Sequence, residues 1–138
     1  MYRFVIGVVL LASACKSDHR KPPPDHDKPP PATRPSAISD SDVQNLDQLL
    51  ATLTSINGEI KGEHDCAKAA AAVHAAASKA ASVFAAMPKL EERTRADKDV
   101  EAWAFANYGQ KIKPLMEGIT MHECVNDATY KAALAQLQ

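Results

Sequence analysis

Residues 66–88 read C-A-K-A-A-A-A-V-H-A-A-A-S-K-A-A-S-V-F-A-A-M-P. Twelve of the 22 positions from Cys66 to Met87 are Ala. Ala loses no side-chain freedom in a helix and is the strongest helix former. The stretch therefore predicts one helix from Cys66 to Met87, with Asp65 as its cap and Pro88 as its stop. Its larger apolar residues, Val73, Val83, Phe84 and Met87, fall on the same side as Ala69, Ala76 and Ala80. Small residues on that side permit close approach of a neighbouring helix.

The preceding segment carries Val43, Leu46, Leu49, Leu50, Leu53, Ile56 and Ile60. These recur at three- and four-residue steps and form one apolar face of a helix. Ser39 or Ser41 serves as its cap, Asp40 and Asp42 occupy its first turn, and Gly58 and Gly62 mark its end. On the other side, Val100, Ala104, Tyr108, Ile112, Leu115 and Ile119 form the stripe of a third helix. That helix is clearest from Asp97 to about Lys113. Pro114 is expected to kink or break it, because its ring clashes with the carbonyl of Gln110. The charged stretch Leu90 to Ala96 reads as loop or as an early helical turn. Asn126 can cap a fourth helix, with Tyr130, Ala133, Leu134 and Leu137 facing inward. No strand-like alternation competes with these patterns. Short connections favour antiparallel neighbours, so residues 39–138 are expected to form an all-α, up-down-up-down four-helix bundle.

The rest of the 138-residue chain has a different character. Seven of the 9 Pro lie between Pro22 and Pro35, interleaved with Lys21, Asp25, Asp27, Lys28 and Arg34. Such a segment has little to bury and cannot form a helix, so residues 16–38 are expected to be a disordered, polyproline-rich tether. At ~3.1 Å per residue it would reach at most roughly 70 Å. The whole chain has 16 Lys and Arg against 17 Asp and Glu. This balance argues against nucleic-acid binding, which calls for a basic excess. It divides unevenly: the tether has 5 basic against 3 acidic residues, and residues 39–138 have 10 against 14.

The chain opens M-Y-R-F-V-I-G-V-V-L-L-A-S-A-C. Arg3 gives a positive start, Phe4 to Leu11 an apolar run too short to span a bilayer, and Ala12, Ser13 and Ala14 a small-residue cleavage region. Cys15 follows directly. This arrangement resembles the lipobox of bacterial lipoproteins, with Leu11 and Ala12 four and three places before the cysteine. The resemblance implies removal of residues 1–14, a diacylglycerol on the Cys15 thiol and acylation of the new amino terminus, by palmitate or a similar chain. Residues 15–38 would then be a lipid-anchored tether. Lys16, where enteric bacteria use Asp for inner-membrane retention, implies the outer membrane, facing the periplasm or the cell surface. The membrane is one expected partner, and an envelope protein or cell-wall polymer another.

The helical layout of residues 39–138 also resembles the cytochrome b562 and cytochrome c-prime bundles. The likeness lies in helix lengths, the turn Pro88-Lys89-Leu90-Glu91 and the alanine-rich second helix. Those families hold haem through an axial Met on helix one with a His on helix four, or through C-x-x-C-H. This chain has neither set, so no haem site and no cofactor is expected. His74, the one mid-helix histidine, lies about 110° from the apolar face of its helix at ~100° per residue.

Cys66 and Cys124 belong at the same end of an up-down bundle. In an exported protein they are expected to form a disulfide closing a loop of about sixty residues, worth about 4 kcal/mol in the chain-entropy model. The competing reading comes from H-D-C at His64–Cys66 and H-E-C at His122–Cys124. Two imidazoles and two thiolates make a tetrahedral zinc or soft copper set, so His64, Cys66, His122 and Cys124 are candidate metal ligands. Glu63, Asp65 and Glu123 lie beside them. Trp103, the only Trp, falls off the centre of its stripe. It is either an exposed partner anchor or is covered by its neighbours. The chain has no nucleophile elbow, P-loop, H-E-x-x-H or dinucleotide fingerprint. The expected function is a non-enzymatic interaction or structural module, with metal binding as the alternative.

Overall fold

The computed structural model describes residues 33–137. The expected signal peptide, Cys15 and most of the tether lie outside the described residues. Those residues are all-helical, with no strand among them. In chain order they form α1 (Asp40–Ile60), α2 (Cys66–Lys79), α3 (Ala81–Ala96), α4 (Lys98–Ala104), a π-helical turn (Phe105–Gly109), α5 (Gln110–Thr120), a 3-10 turn (Glu123–Asn126), α6 (Ala128–Leu134) and a last 3-10 turn (Ala135–Leu137).

Of the two serines that can open α1, Ser39 does so. Its hydroxyl accepts the Asp42 N–H at 3.1 Å, and the Asp42 carboxylate accepts the Ser39 N–H at 2.8 Å. Each partner thereby satisfies an amide that has no intrahelical acceptor. Leu46, Leu49, Leu53, Ile56 and Ile60 are buried, and Val43 and Leu50 pack at the edge of the same stripe. Gly58 does not end the helix. Its position is exposed, and the ladder continues to Ile60 before Gly62, at φ +78°, turns the chain.

The single helix expected from Cys66 to Met87 is two helices. α2 and α3 meet at Ala80 and are bent by 71°. The residues at the break, Ser78 to Ser82, include neither Gly nor Pro. The bend therefore comes from what the two halves pack against: α2 lies on α1 and α6, and α3 lies on α1 and α4. Pro88 does not stop α3, which runs on to Ala96, so the stretch Leu90 to Ala96, which reads as loop or an early helical turn, is helical. Pro88 itself is exposed, while Val83, Phe84, Leu90 and Thr94 are buried on the inner side. Burial on that side holds the helix together through the one hydrogen bond that proline removes.

The third helix behaves similarly. Asp97 caps α4, accepting the Asp99 N–H at 2.9 Å. Val100, Ala104, Tyr108, Ile112 and Ile119 are buried as the stripe predicts, and Leu115 is half-buried. Pro114 does not break α5, which continues to Thr120. The irregularity lies one turn earlier, in the widened π turn, where the ring of Phe105 covers Gly109. At the last helix, Asp127 takes the capping role expected of Asn126. Its carboxylate accepts the Thr129 and Tyr130 N–H groups at 2.8 and 3.0 Å. Asn126 is consumed by the preceding 3-10 turn, which delays the helix by one residue. Tyr130, Ala133, Leu134 and Leu137 are buried.

One ion pair clamps the start of α1 to the end of α3. Arg93 donates through Nη1 and Nη2 to the two oxygens of Asp42, at 2.8 and 2.5 Å, and through Nη1 to the Ala37 carbonyl at 3.1 Å. The Arg93 hydrogen bonds hold the Asp42 carboxyl down at about 2 despite its burial, with help from Ser39.

Candidate functional site

The chemistry-bearing residues collect at the end of the molecule where α1 stops and α2 starts. Asp65 opens α2 there, its carboxylate accepting the Ala67 and Lys68 N–H groups at 3.0 and 3.2 Å. This places Cys66 in the first turn. Cys124 sits in the 3-10 turn after α5. The two form a disulfide with an S–S bond of 2.05 Å and Cα atoms 5.3 Å apart. Cys124 is fully buried and Cys66 half-buried. The expected pairing is thus present in the fold.

The two histidines do different work. His122 faces inward, stacked on Tyr130 with ring centroids 5.3 Å apart. Its Nε2 lies 3.1 Å from the Ile60 carbonyl, and its Nδ1 accepts the Cys124 N–H at 3.2 Å. A carbonyl can only accept, so the ring carries its hydrogen on Nε2 and its lone pair on Nδ1. Both nitrogens are then occupied by backbone. Tyr130 beneath it donates to the Ile119 carbonyl at 2.8 Å, and burial pushes its phenol up to about 12. His64 faces outward. Its Nδ1 donates to the Glu123 carboxylate at 2.6 Å, across the two segments that the disulfide joins. Glu63 accepts the Asp65 N–H at 2.9 Å.

The four-ligand set of His64, Cys66, His122 and Cys124 is therefore not assembled in the disulfide-bonded chain. Its sulfurs are bonded to each other, and His122 has no free nitrogen. Among the described residues no group of three or more His, Cys, Asp or Glu stands ready to hold a metal ion. Sequence spacing treats the two H-x-C segments as equivalent. It misses the difference because Ile60 and Tyr130, which capture His122, are distant in the chain.

Of the two readings of Trp103, the structure shows the covered one. It is 7 % exposed and tilts against Tyr108 at a centroid distance of 5.8 Å. Its position off the stripe was real, but the widened π turn just beyond it brings Tyr108 alongside. Tyr108 donates to Asp47 at 2.7 Å, and burial followed by that bond raises its phenol to about 12. His74 is exposed and pairs with Gln136 at 2.7 Å. A groove of about 420 Å³ runs along the α2–α3 bend, lined by Ala77, Ser78, Ala81, Phe84, Ala85, Pro88 and Gln136. None of these side chains ionises, so the groove has no acid, base or charged group to offer a reaction. No described helix is by itself long and apolar enough to cross a membrane. No family model, curated protein or solved structure matches the chain.

Proposed function

We propose that this chain is a bacterial envelope lipoprotein, anchored through Cys15, that acts as a non-enzymatic interaction or structural module. The observation that carries the reading is the run from Arg3 to Cys15: a charged start, eight apolar residues, three small residues and a cysteine. The Cys66–Cys124 disulfide supports it, since such bonds persist in the oxidising compartments that exported proteins reach. With two acyl chains or more on Cys15, membrane attachment would be stable. The proline-rich residues 16–38 would then hold the helical domain away from the outer membrane. We read that domain as an antiparallel bundle of four rods: α1, the bent α2–α3 pair, α4 with α5, and α6. α1 is capped by Ser39, directly after the tether, so the disulfide end lies about 30 Å away at 1.5 Å per helical residue. That end would face outward, towards an envelope protein or cell-wall partner.

The test is metabolic labelling with an alkyne-tagged palmitate, followed by cross-linking and purification of the labelled protein. The expected result is label on the wild-type chain, none on Cys15→Ser, and one recurrent cross-linked envelope component. Label that persists in Cys15→Ser, or an unlabelled wild type, overturns the anchoring. A labelled protein with no recurrent cross-link leaves the anchor standing and overturns the interaction role.

A further inference from the structure

The disulfide end also pairs His64 with Glu123, a contact that lies outside the two-histidine, two-cysteine set suggested by spacing. Asp65 has extended backbone, at φ −83° and ψ 107°. His64 and Cys66 flank it in the chain. Glu123, next to Cys124, reaches across and accepts the hydrogen of His64 Nδ1 at 2.6 Å. In the neutral ring this puts the lone pair on Nε2, on a side chain that is 80 % exposed. A carboxylate that holds one imidazole nitrogen while the other is open is the arrangement found behind metal-binding histidines. The sulfurs of the adjoining Cys66 and Cys124 are bonded to each other.

We propose that reduction of the Cys66–Cys124 disulfide converts this end into a binding site for a thiophilic divalent cation of the zinc class. The ligands are Cys66 Sγ, Cys124 Sγ and His64 Nε2, with Glu123 holding the imidazole. This inference is independent of the anchoring through Cys15. A dithiol reductant supplies two electrons and two protons. The S–S bond breaks into two thiols, and the reductant closes into its own disulfide. The cation then displaces both thiol protons and forms two metal–sulfur bonds, while Nε2 contributes its lone pair and water takes the fourth position. Metal–sulfur bonds of ~2.3 Å place two thiolates farther apart than a disulfide does. Cys66, in the first turn of α2, is half-buried, whereas Cys124 is fully buried, so the cation would bind from the Cys66 side. The amino-terminal end of that helix also favours its thiolate. His122 takes no part, because Ile60 and Cys124 occupy both of its nitrogens.

The experiment uses the full chain carrying Cys15→Ser, so that the pair supplies the only thiols. Oxidised and anaerobically reduced protein are titrated with cobalt(II), read by thiolate charge-transfer and tetrahedral ligand-field bands. Native mass spectrometry with zinc gives the stoichiometry. The reduced chain is expected to bind one metal ion and the oxidised chain none. His64→Ala and Glu123→Gln should each weaken binding by about tenfold or more. Far-UV circular dichroism follows helix content throughout. The proposal is overturned if the reduced chain binds no metal, or if it loses its helices and metal does not restore them. It is equally overturned if both variants bind as tightly as the parent, or if Cys66→Ser/Cys124→Ser binds as well as the reduced pair.

Discussion

Asp42 completes the cap of α1 and accepts both arms of Arg93, so one carboxylate holds two elements together. Its carboxyl lies at about 2 in the fold against an ordinary 3.8, because Arg93 and Ser39 bind the charged form. The resulting stability is fully present above about pH 4 and is lost as pH falls through 2. With Arg93 partly exposed, it amounts to about 1–2 kcal/mol. Asp42→Asn should therefore be less stable than wild type by that amount at pH 7, and the gap should narrow steadily between pH 4 and pH 2. Urea unfolding at several pH values measures it, and a gap independent of pH would contradict the assignment. His122 is the second residue of this kind. Removing its ring leaves the Ile60 carbonyl and the Cys124 N–H without their partner. His122→Ala should cost about 1–3 kcal/mol in the same assay.

Two elements carry irregularities that can be tested directly. Asn57 on α1 donates to the Leu115 carbonyl of α5, and Gly118 one turn further leaves the space that this side chain occupies. A Cβ at position 118 would collide with the Asn57 amide. Gly118→Ala should destabilise by about 1–2 kcal/mol even though Ala is the better helix former. In an Asn57→Ala background the same change should instead stabilise by up to about 1 kcal/mol, because only the propensity gain remains. A double-mutant cycle reads the reversal of sign. Pro88 offers the complementary case. It is exposed inside α3 and is not among the residues packed against the core. Pro88→Ala restores a main-chain donor and should raise stability by about 1–3 kcal/mol, visible as a higher unfolding midpoint.

For the whole molecule, the disulfide is the largest single constraint. Its span of 58 residues corresponds to about 4 kcal/mol of lost unfolded-state entropy. In a domain of roughly a hundred residues that converts to a fall in Tm of about 15–30 °C on reduction. Thermal circular dichroism with and without a dithiol checks it, and Cys66→Ser/Cys124→Ser should reproduce the reduced midpoint. The constraint matters because so much of the core is Ala: Ala69, Ala70, Ala77, Ala80, Ala104 and Ala133 are buried but remove little apolar area from water. Small side chains let α2 and α6 approach closely, and the covalent link offsets the thin hydrophobic contribution at the end where they start.

The helical character of the described residues and the faces they bury are set by local periodicity alone. Spacing leaves Cys66 and Cys124 open between a disulfide and a metal-ligand pair, and the fold joins them as a disulfide. Leu46 to Ile60, Val100 to Ile119 and Tyr130 to Leu137 all lie as their spacing requires. Where the helices break is set by tertiary packing. Ala80 bends without a breaker because α2 and α3 have different neighbours. Pro88 and Pro114 sit inside intact helices because burial on the other face outweighs one lost hydrogen bond. It also separated two histidines with identical local spacing. Ile60 and Tyr130 draw His122 inward and Glu123 holds His64 at the surface, and contacts between residues so distant in the chain leave no mark in a three-residue motif.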